Sequence, residues 1–411
     1  MQASTELDYD IVIVGAGMVG CLLTYAILKS SPTVRIALVD ENPARAVTGK
    51  HPGFDARSIA LSAGSVELLE KLGLWAELRV NAQAIDDIHI SDRGGCGMVD
   101  LCSVDSQLGK HKQSFGFVVE LQDVGAVIDK QLARYTELTR LYDSRLQAIE
   151  KYTDKTTCQF ENGPLLSCQL VVASDGGDSM TRGLLGIAAQ HSDYHCSAII
   201  ANLRCSEPHH NKAFERFTEF GPIALLPLRD NRYSLVWSVA NVDVDRLSAL
   251  NDADFLAELQ QAFGYRAGIF REVGKRDIYP LTLIQTTKAV THRGVCVGNA
   301  AHSLHPVMGQ GFNLGMRDIY VLARVIAELD NNEQIGRFTM LNHYWLARER
   351  DHKKTIAMTD SIVRVFANSS LPFIIGRNIA LQAMSAIPSL SMPIVKQAKG
   401  QFNLFSRDHN A

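Results

Sequence analysis

The sequence predicts an α/β protein: a Rossmann-like nucleotide-binding domain with an inserted, mainly antiparallel β-sheet domain and a carboxy-terminal helical tail. Three observations predict it. A strand, a glycine turn, a helix and a second strand follow one another within the first 40 residues. Two further strand–loop–helix segments, near residues 175 and 298, place small residues where a helix opens. Between them, residues 190–285 carry β-rich, partly alternating runs bounded by Gly, Pro, Asn and Asp, the pattern of an antiparallel sheet.

Composition excludes classes without naming a chemistry. A chain of 411 residues exceeds one compact core, and 46% hydrophobic with 21% charged residues is an ordinary globular balance. Forty-one Lys plus Arg against 44 Asp plus Glu give a net charge of -3, so no nucleic-acid partner is expected. The eight cysteines (Cys21, Cys96, Cys102, Cys158, Cys168, Cys196, Cys205 and Cys296) form no C-x-x-C pair and read as reduced thiols of a cytoplasmic protein. The opening MQASTELDYD is too polar for a signal peptide. No run of about 18 uncharged apolar residues predicts a spanning helix.

In chain order, residues 10–14 (DIVIV) form a β-branched run suited to a strand buried on both faces. Gly15-Ala16-Gly17-Met18-Val19-Gly20 follows, then the helical stretch CLLTYAILKS, then VRIALV ending at Asp40. Gly15 permits the tight turn, Gly17 lets backbone approach a pyrophosphate, and Gly20 lets helix and strand pack closely. The helix amino terminus then offers free N–H groups and the positive end of its dipole. A carboxylate at Asp40 accepts hydrogen bonds from ribose hydroxyls and disfavours a 2′-phosphate, so FAD or NAD is expected rather than NADP.

The middle segment, LVVASDGGDSMTR, reads as a strand over Leu170–Ala173 and a polar turn, Asp175-Gly176 with Ser179 and Arg182, leading into a short helix. The late segment runs from the strand RGVCVG through Gly298-Asn299-Ala300-Ala301-His302-Ser303-Leu304-His305-Pro306-Val307-Met308-Gly309-Gln310-Gly311-Phe312-Asn313 into a helix. One long ligand held from both ends of the chain explains the two glycine motifs more economically than two nucleotide sites. His302 and His305, three apart, lack further ligands at metal spacing, and no metal is expected. A discontinuous cofactor domain follows, over 1–84, 120–185 and 290–350, with a substrate domain over 85–119 and 186–289 and a helical region over 351–411.

Together the three motifs resemble those of the class A flavoprotein monooxygenases of the para-hydroxybenzoate hydroxylase fold, which serve one FAD with an early G-x-G-x-x-G, a middle D-G and a late G-D. The stretches HPGFDARSIALS from His51, AFERFTEFGPIALLP from Ala213 and HPVMGQGFNLGMRD from His305 are similar to the ubiquinone-biosynthesis hydroxylases among them. The resemblance implies that Gly15, Ala16, Gly17 and Gly20 cradle the FAD diphosphate and that Asp40 binds the adenosine ribose. Arg57 would lie on the flavin side, and Asp175 and Gly176 would serve both FAD and the pyridine nucleotide. Gly298 and Asn299 would take the place of the late pair, and Pro306, Gly309, Gln310, Gly311 and Asn313 would border the isoalloxazine. One departure stands out: Asn299 replaces the usual Asp, losing a charge-assisted bond of about 1 kcal/mol.

Hydroxylation of a polyprenylated phenol is the implied activity, with FAD as cofactor, NAD(P)H docking transiently and O2 as the oxygen source. Other ubiquinone-biosynthesis enzymes are implied as partners. A flavin oxidase or dehydrogenase, or a flavoprotein that mainly scaffolds an assembly, would carry the same glycine motifs. No catalytic acid or base is assigned. His305 has the best position for one, although packing or a backbone hydrogen bond is the plainer role. Phe217, Phe220 and Trp237 could line an apolar pocket. From Ser361 to Arg407 there are five basic residues (Arg364, Arg377, Lys396, Lys399 and Arg407) and no acidic one, a pattern suited either to a membrane surface, the inner face of the cytoplasmic membrane, or to a helical cap.

Overall fold

The computed structural model describes residues 7–44, 57–103, 114–161 and 163–400; residues 51–56 of the first similar stretch, and Arg407, lie outside them. The DIVIV run becomes the strand Tyr9–Val14, central in an eight-stranded sheet. It pairs in parallel with Ile36–Val39 and with Leu165–Ala173, and the latter pairs in parallel with Gly294–Cys296. Register decides what this sheet can do. Val14 lies opposite both Val39 and Ala173, and Ala173 lies opposite Cys296. Gly15, Asp40, Asp175 and Gly298, one or two residues further on, therefore leave the sheet along a single carboxyl edge. Ligands of open α/β sheets bind at that edge.

A second, nine-stranded sheet is built around the 17-residue strand Ala189–Cys205, which pairs antiparallel with Arg232–Ala240 and with Asp277–Thr286. Its one parallel pair among the described residues joins Lys212–Thr218 to Asp87–Asp92. Alternation in the sequence does not announce the helices Val244–Ala249 and Asp252–Phe263, which cover this sheet with Leu247, Phe255, Leu259 and Phe263. A third sheet of three strands, Ser58–Ser62, Gly116–Glu120 and Gln83–Ile85, is hydrogen-bonded to neither. Two boundaries expected from sequence shift accordingly. Gly116–Glu120 belongs with Ser58–Ser62 rather than with the substrate sheet, and position 351 falls inside a continuous 30-residue helix, Phe338–Ala367.

The late loop crosses from one large sheet to the other. After Gly298–Ala300, the residues His302–Ser303 pair with Asp277–Thr286 of the second sheet. Its anchor is Asp318, fully buried on the helix Gln310–Ala327. One Asp318 oxygen accepts the Gly298 N–H at 3.1 Å and His302 Nε2–H at 2.7 Å; the other accepts Arg348 Nε–H at 2.8 Å and His352 Nε2–H at 2.7 Å. Four donors fill the four lone-pair sites of the carboxylate. Burial alone would raise this carboxyl, but His352, Arg348 and His302 hold it well below the ordinary carboxylate range. His352, buried, is itself pushed down to about 4 and is neutral near pH 7.

The tail is two helices, Leu371–Ala386 and Pro388–Ala398, meeting at a 97° bend; among the described residues no single helix is long and apolar enough to cross a membrane. Arg377 Nε donates to Asp92 at 2.7 Å and Asn378 Nδ2 donates to the same carboxylate at 3.0 Å, tying the first of these helices to the edge of the second sheet. Asp318→Ala strands the fully buried Arg348 guanidinium without its carboxylate. It is expected to lower unfolding free energy by about 3–5 kcal/mol in denaturant titration; a loss under about 1 kcal/mol would contradict the anchoring role.

Candidate active site

A cleft of about 780 Å³ opens along the carboxyl edge of the first sheet, within the range of cofactor pockets. Gly15, Gly17, Asp40, Arg57, Asp175, Gly176, Gly298, Asn299, Pro306, Gly309 and Gly311 all line it. The glycine turn beneath it admits no side chain at two points. A Cβ on Gly20 would stand 1.9 Å from the Gly15 carbonyl oxygen, and one on Gly15, held at φ +104°, would stand 2.6 Å from the Ser174 backbone. Gly17 caps the helix Met18–Ser30 in extended conformation, with no side chain occupying the helix end and no acidic residue in its first turn. That end is an anion site. At the far end Asp40 accepts the Ala16 N–H at 2.5 Å and the Asn42 N–H at 2.8 Å, which fixes its carboxylate against the glycine turn.

The middle motif is built as a cap. Asp175 accepts from Ser179 Oγ and from the Thr181 N–H, and Ser179 accepts the Arg182 N–H at 2.9 Å. Arg182 then donates to the carbonyls of Gly177 and Ala300, so middle and late motifs are stitched together. Gly176 needs its lack of side chain for conformation, at φ +93°, rather than for space. Arg57 lies over the Tyr279 ring at 4.7 Å, on the cleft wall.

Four of the residues singled out from sequence do not line the cleft: Ala16, Gly20, Gln310 and Asn313. Ala16 spends its N–H on Asp40. Asn313 holds the loop from behind, donating to the carbonyls of Ala60 and Gly309 and accepting from the Ser62 N–H and Ser65 Oγ. Gln310 is buried, donating to the Met308 carbonyl at 3.2 Å.

A second, mainly apolar chamber adjoins the cleft, lined by Ile85, Ile88, Ile90, Leu101, Phe115 and their neighbours. The two cavities share Ala60, Leu226, Val236, Pro306 and Gly309 as wall, so a ring seated at that end of the cleft faces the chamber. One ionisable side chain lines it, Glu215. Met308, at φ +56°, donates its N–H to Glu215 at 3.1 Å. Burial pushes the Glu215 carboxyl up to about 7, against the opposing Met308 bond.

A family model described as the FAD binding domain matches residues 8–350. The chain belongs to this family of flavoprotein hydroxylases. It is 33% identical over 98% of its length, and 92% of the relative's, to ubiquinone hydroxylase UbiL of Rhodospirillum rubrum. With the 3-demethoxyubiquinol 3-hydroxylase of Escherichia coli it shares 27% identity over 96% of this chain and all of that one (100%). The structure of p-nitrophenol 4-monooxygenase PnpA from Pseudomonas putida matches the fold with a TM-score of 0.77 at 17% identity, covering 96% and 99% of the two chains. The protein is thus a FAD-dependent monooxygenase within the ubiquinone-biosynthesis hydroxylases, with NAD(P)H as the electron donor of its family.

The cleft fits such a flavin. Side-chain-free floor, helix amino terminus and the Asp40 carboxylate match a diphosphate flanked by a ribose. Asn299 is exposed on the cleft wall, where its amide oxygen can accept as the family Asp would.

Other residues separate from the flavin. His305 is buried, its ring edge-on to Tyr194 at 5.2 Å; neither nitrogen has a hydrogen-bond partner, and burial pushes it down to about 4. It lines neither cavity, and a group with so low a pKa is a weak proton acceptor. Phe217 stacks on Phe366, Trp237 packs on Phe255, and Phe220 is exposed, so none of the three lines the chamber. His302, Asp318 and His352 bring ligand atoms within 4.8 Å of one another. Their contacts are a saturated hydrogen-bond set beside the Arg348 guanidinium, which leaves no lone pair of Asp318 for a cation.

Missed from sequence were Glu215, Asp318 and the Arg348–His352 pair, whose partners lie far away in the chain. Gly20→Ala is expected to lose flavin on gel filtration, whereas Asn299→Asp is expected to retain it. The yellow colour of the eluted protein reads both, and retention by Gly20→Ala would contradict the close approach at that turn.

Proposed function

We propose that the protein hydroxylates the aromatic ring of a polyprenylated phenol, 2-polyprenyl-6-methoxyphenol, in ubiquinone biosynthesis. The observation that carries this reading is the apolar chamber opening onto the flavin end of the cleft through Pro306 and Gly309. The relatives named ubiquinone hydroxylase and 3-demethoxyubiquinol 3-hydroxylase support it. One ring C–H becomes C–OH, NAD(P)H and a proton supply the reducing equivalents, and the second oxygen atom of O2 leaves as water.

Bound FAD would supply the oxygen activation. Gly15, Gly17 and the Met18–Ser30 helix end would hold its diphosphate, Asp40 its ribose, and Asp175, Gly176 and Asn299 the middle of the cofactor. Pro306, Gly309 and Gly311 would border the ring system, with Arg57 opposite. The protein's own work is then to orient the phenol and keep water out, which a wall of isoleucine, leucine and phenylalanine does.

A polyprenyl substrate comes from a membrane, and the tail helices offer a contact. Leu371, Phe373, Ile375, Ile379, Leu390 and Met392 are all exposed there. Charge contributes less than a count of basic residues suggests, because Arg364 is paired with Asp360 and Arg377 with Asp92. Apolar area is the stronger term. Ala398, at the end of the second helix, also lines the chamber, so this surface adjoins the substrate space. The resulting localisation is peripheral, at the inner face of the cytoplasmic membrane.

Purified protein is expected to form a +16 Da product (about one oxygen atom) from a prenylated methoxyphenol with NAD(P)H and air. NAD(P)H oxidation without an oxygenated product from every prenylphenol tried would turn the reading toward an oxidase. Replacing Ile375 and Ile379 together by Asp should cut sedimentation with phospholipid vesicles about tenfold or more. Unchanged sedimentation would remove these helices from the membrane contact.

A further inference from the structure

We propose that Glu215 is the proton acceptor for the phenolic hydroxyl of the substrate, a catalytic residue at the meeting point of cleft and chamber. The assignment rests on the phenol reading above and names the group that would activate that ring. Glu215 lies mid-strand on Lys212–Thr218, opposite Ile90 on one side and Ala224 on the other. Its neighbours pointing the same way along the strand, Ala213 and Phe217, are apolar and buried. A carboxyl set in such company is costly to bury, and here it has one hydrogen bond among the described residues, from the Met308 N–H. Among the described residues no cation pairs with it. No other described residue hydrogen-bonds to it, and Glu215 lines the chamber in which the proposed function places the substrate ring.

The surroundings leave it alone as a titrating group. Ser62 and Asn313, polar residues of the chamber wall, are neutral and bonded to one another. On the adjoining strand His89 is held by Asp100 and Asp92 by Arg377; on the helix Phe338–Ala367, Asp360 is held by Arg364 and by Tyr194. On its own strand Arg216 points to the opposite face. On the late loop His305 is neutral. Lys399, beside the chamber wall, lies over the Phe115 ring at 5.7 Å. Burial sets the carboxyl at about 7, where a base is still ionised near neutral pH yet strong enough to take a proton.

The step balances as follows. A phenol with an ordinary value of about 10 keeps its proton in the resting complex. As the new carbon–oxygen bond forms, the phenolic O–H bond breaks, its proton passes to the Glu215 carboxylate, and the electron pair stays on the ring oxygen. The ring then carries a carbonyl and an sp³ carbon. Rearomatisation expels the proton of that carbon, and Glu215 returns its own proton to the carbonyl oxygen, regenerating the phenol and the carboxylate. The oxygen atom itself comes from O2, NAD(P)H supplies the two electrons that reduce the second oxygen atom, and the proton expelled from carbon ends in the water so formed.

The experiment is the pH dependence of hydroxylation by the holoenzyme. Wild-type kcat/KM is expected to rise with pH through about 7 and then level, because the ionised carboxylate is the active form. Glu215→Gln should lose about a hundredfold in product formation together with that inflection. Its flavin should still be reduced by NAD(P)H when no phenol is present, and Glu215→Asp should recover the inflection. Hydroxylation by Glu215→Gln within about twofold of wild type, inflection intact, overturns the proposal. Should the Gln variant fail to fold, wild type with a polyfluorinated phenol, already ionised across the pH range, serves instead. The rise through about 7 should vanish with that substrate, and its persistence overturns the assignment. A wild-type enzyme that oxygenates no phenol at all sinks the phenol reading itself, an outcome distinct from either of these.

Discussion

The buried carboxylate of Asp318 organises the molecule. It gathers a backbone N–H from the late glycine motif, two imidazoles and a guanidinium, and so fixes the Gln310–Ala327 helix to the Phe338–Ala367 helix behind the cofactor cleft. Arg348 passes the link on to Asp351, which also accepts from Arg317. Burial would raise the Asp351 carboxyl, yet the two arginines bring it down to about 2. Such a network is favourable only when complete, since any one missing partner leaves a charge in a medium that cannot solvate it. The late loop therefore rests on a rigid polar foundation although its own backbone is strained at Met308.

On that foundation two unlike environments meet. The cleft mixes glycine, carboxylate and arginine with apolar side chains; the chamber is walled by aliphatic and aromatic side chains with one carboxyl among them. Their shared wall is short, chiefly Pro306 and Gly309 on one side and Leu226 and Val236 on the other. A polar cofactor and an apolar substrate can thus approach without either being exposed to the other's solvent requirements.

Local chemistry was legible in the sequence, and long-range burial was not. Gly15, Gly20, Asp40 and Gly176 announce themselves because turn geometry and strand–helix spacing are local properties, and the parallel register then brings them to one edge. Asn313 and Gln310 sit in the same motif as Gly309 and Gly311, but spacing along a loop does not say which side chains face the ligand and which face the scaffold. Glu215 lies in the run AFERFTEF beside Arg216 and near Glu219, where it looks like a solvated residue. Only the pairing of its strand with Asp87–Asp92 and Gly221–Leu228 makes it interior. The basic tail misled in the opposite sense. Counting Arg364 and Arg377 as free cations overlooked acidic partners, one four residues away on the same helix and one on a distant strand.

The order of strands in the cofactor sheet has a consequence for biosynthesis. Tyr9–Val14 is synthesised well before its partner Leu165–Ala173, and Gly294–Cys296 comes later still. Between the last two the chain must lay down the substrate sheet. The nascent βαβ unit consequently waits, one edge of its Tyr9–Val14 strand unpaired, until Leu165–Ala173 has been made, and the sheet is extended only when Gly294–Cys296 follows. A cofactor held along that shared carboxyl edge therefore meets its full set of contacts only after strands far apart in the chain have paired.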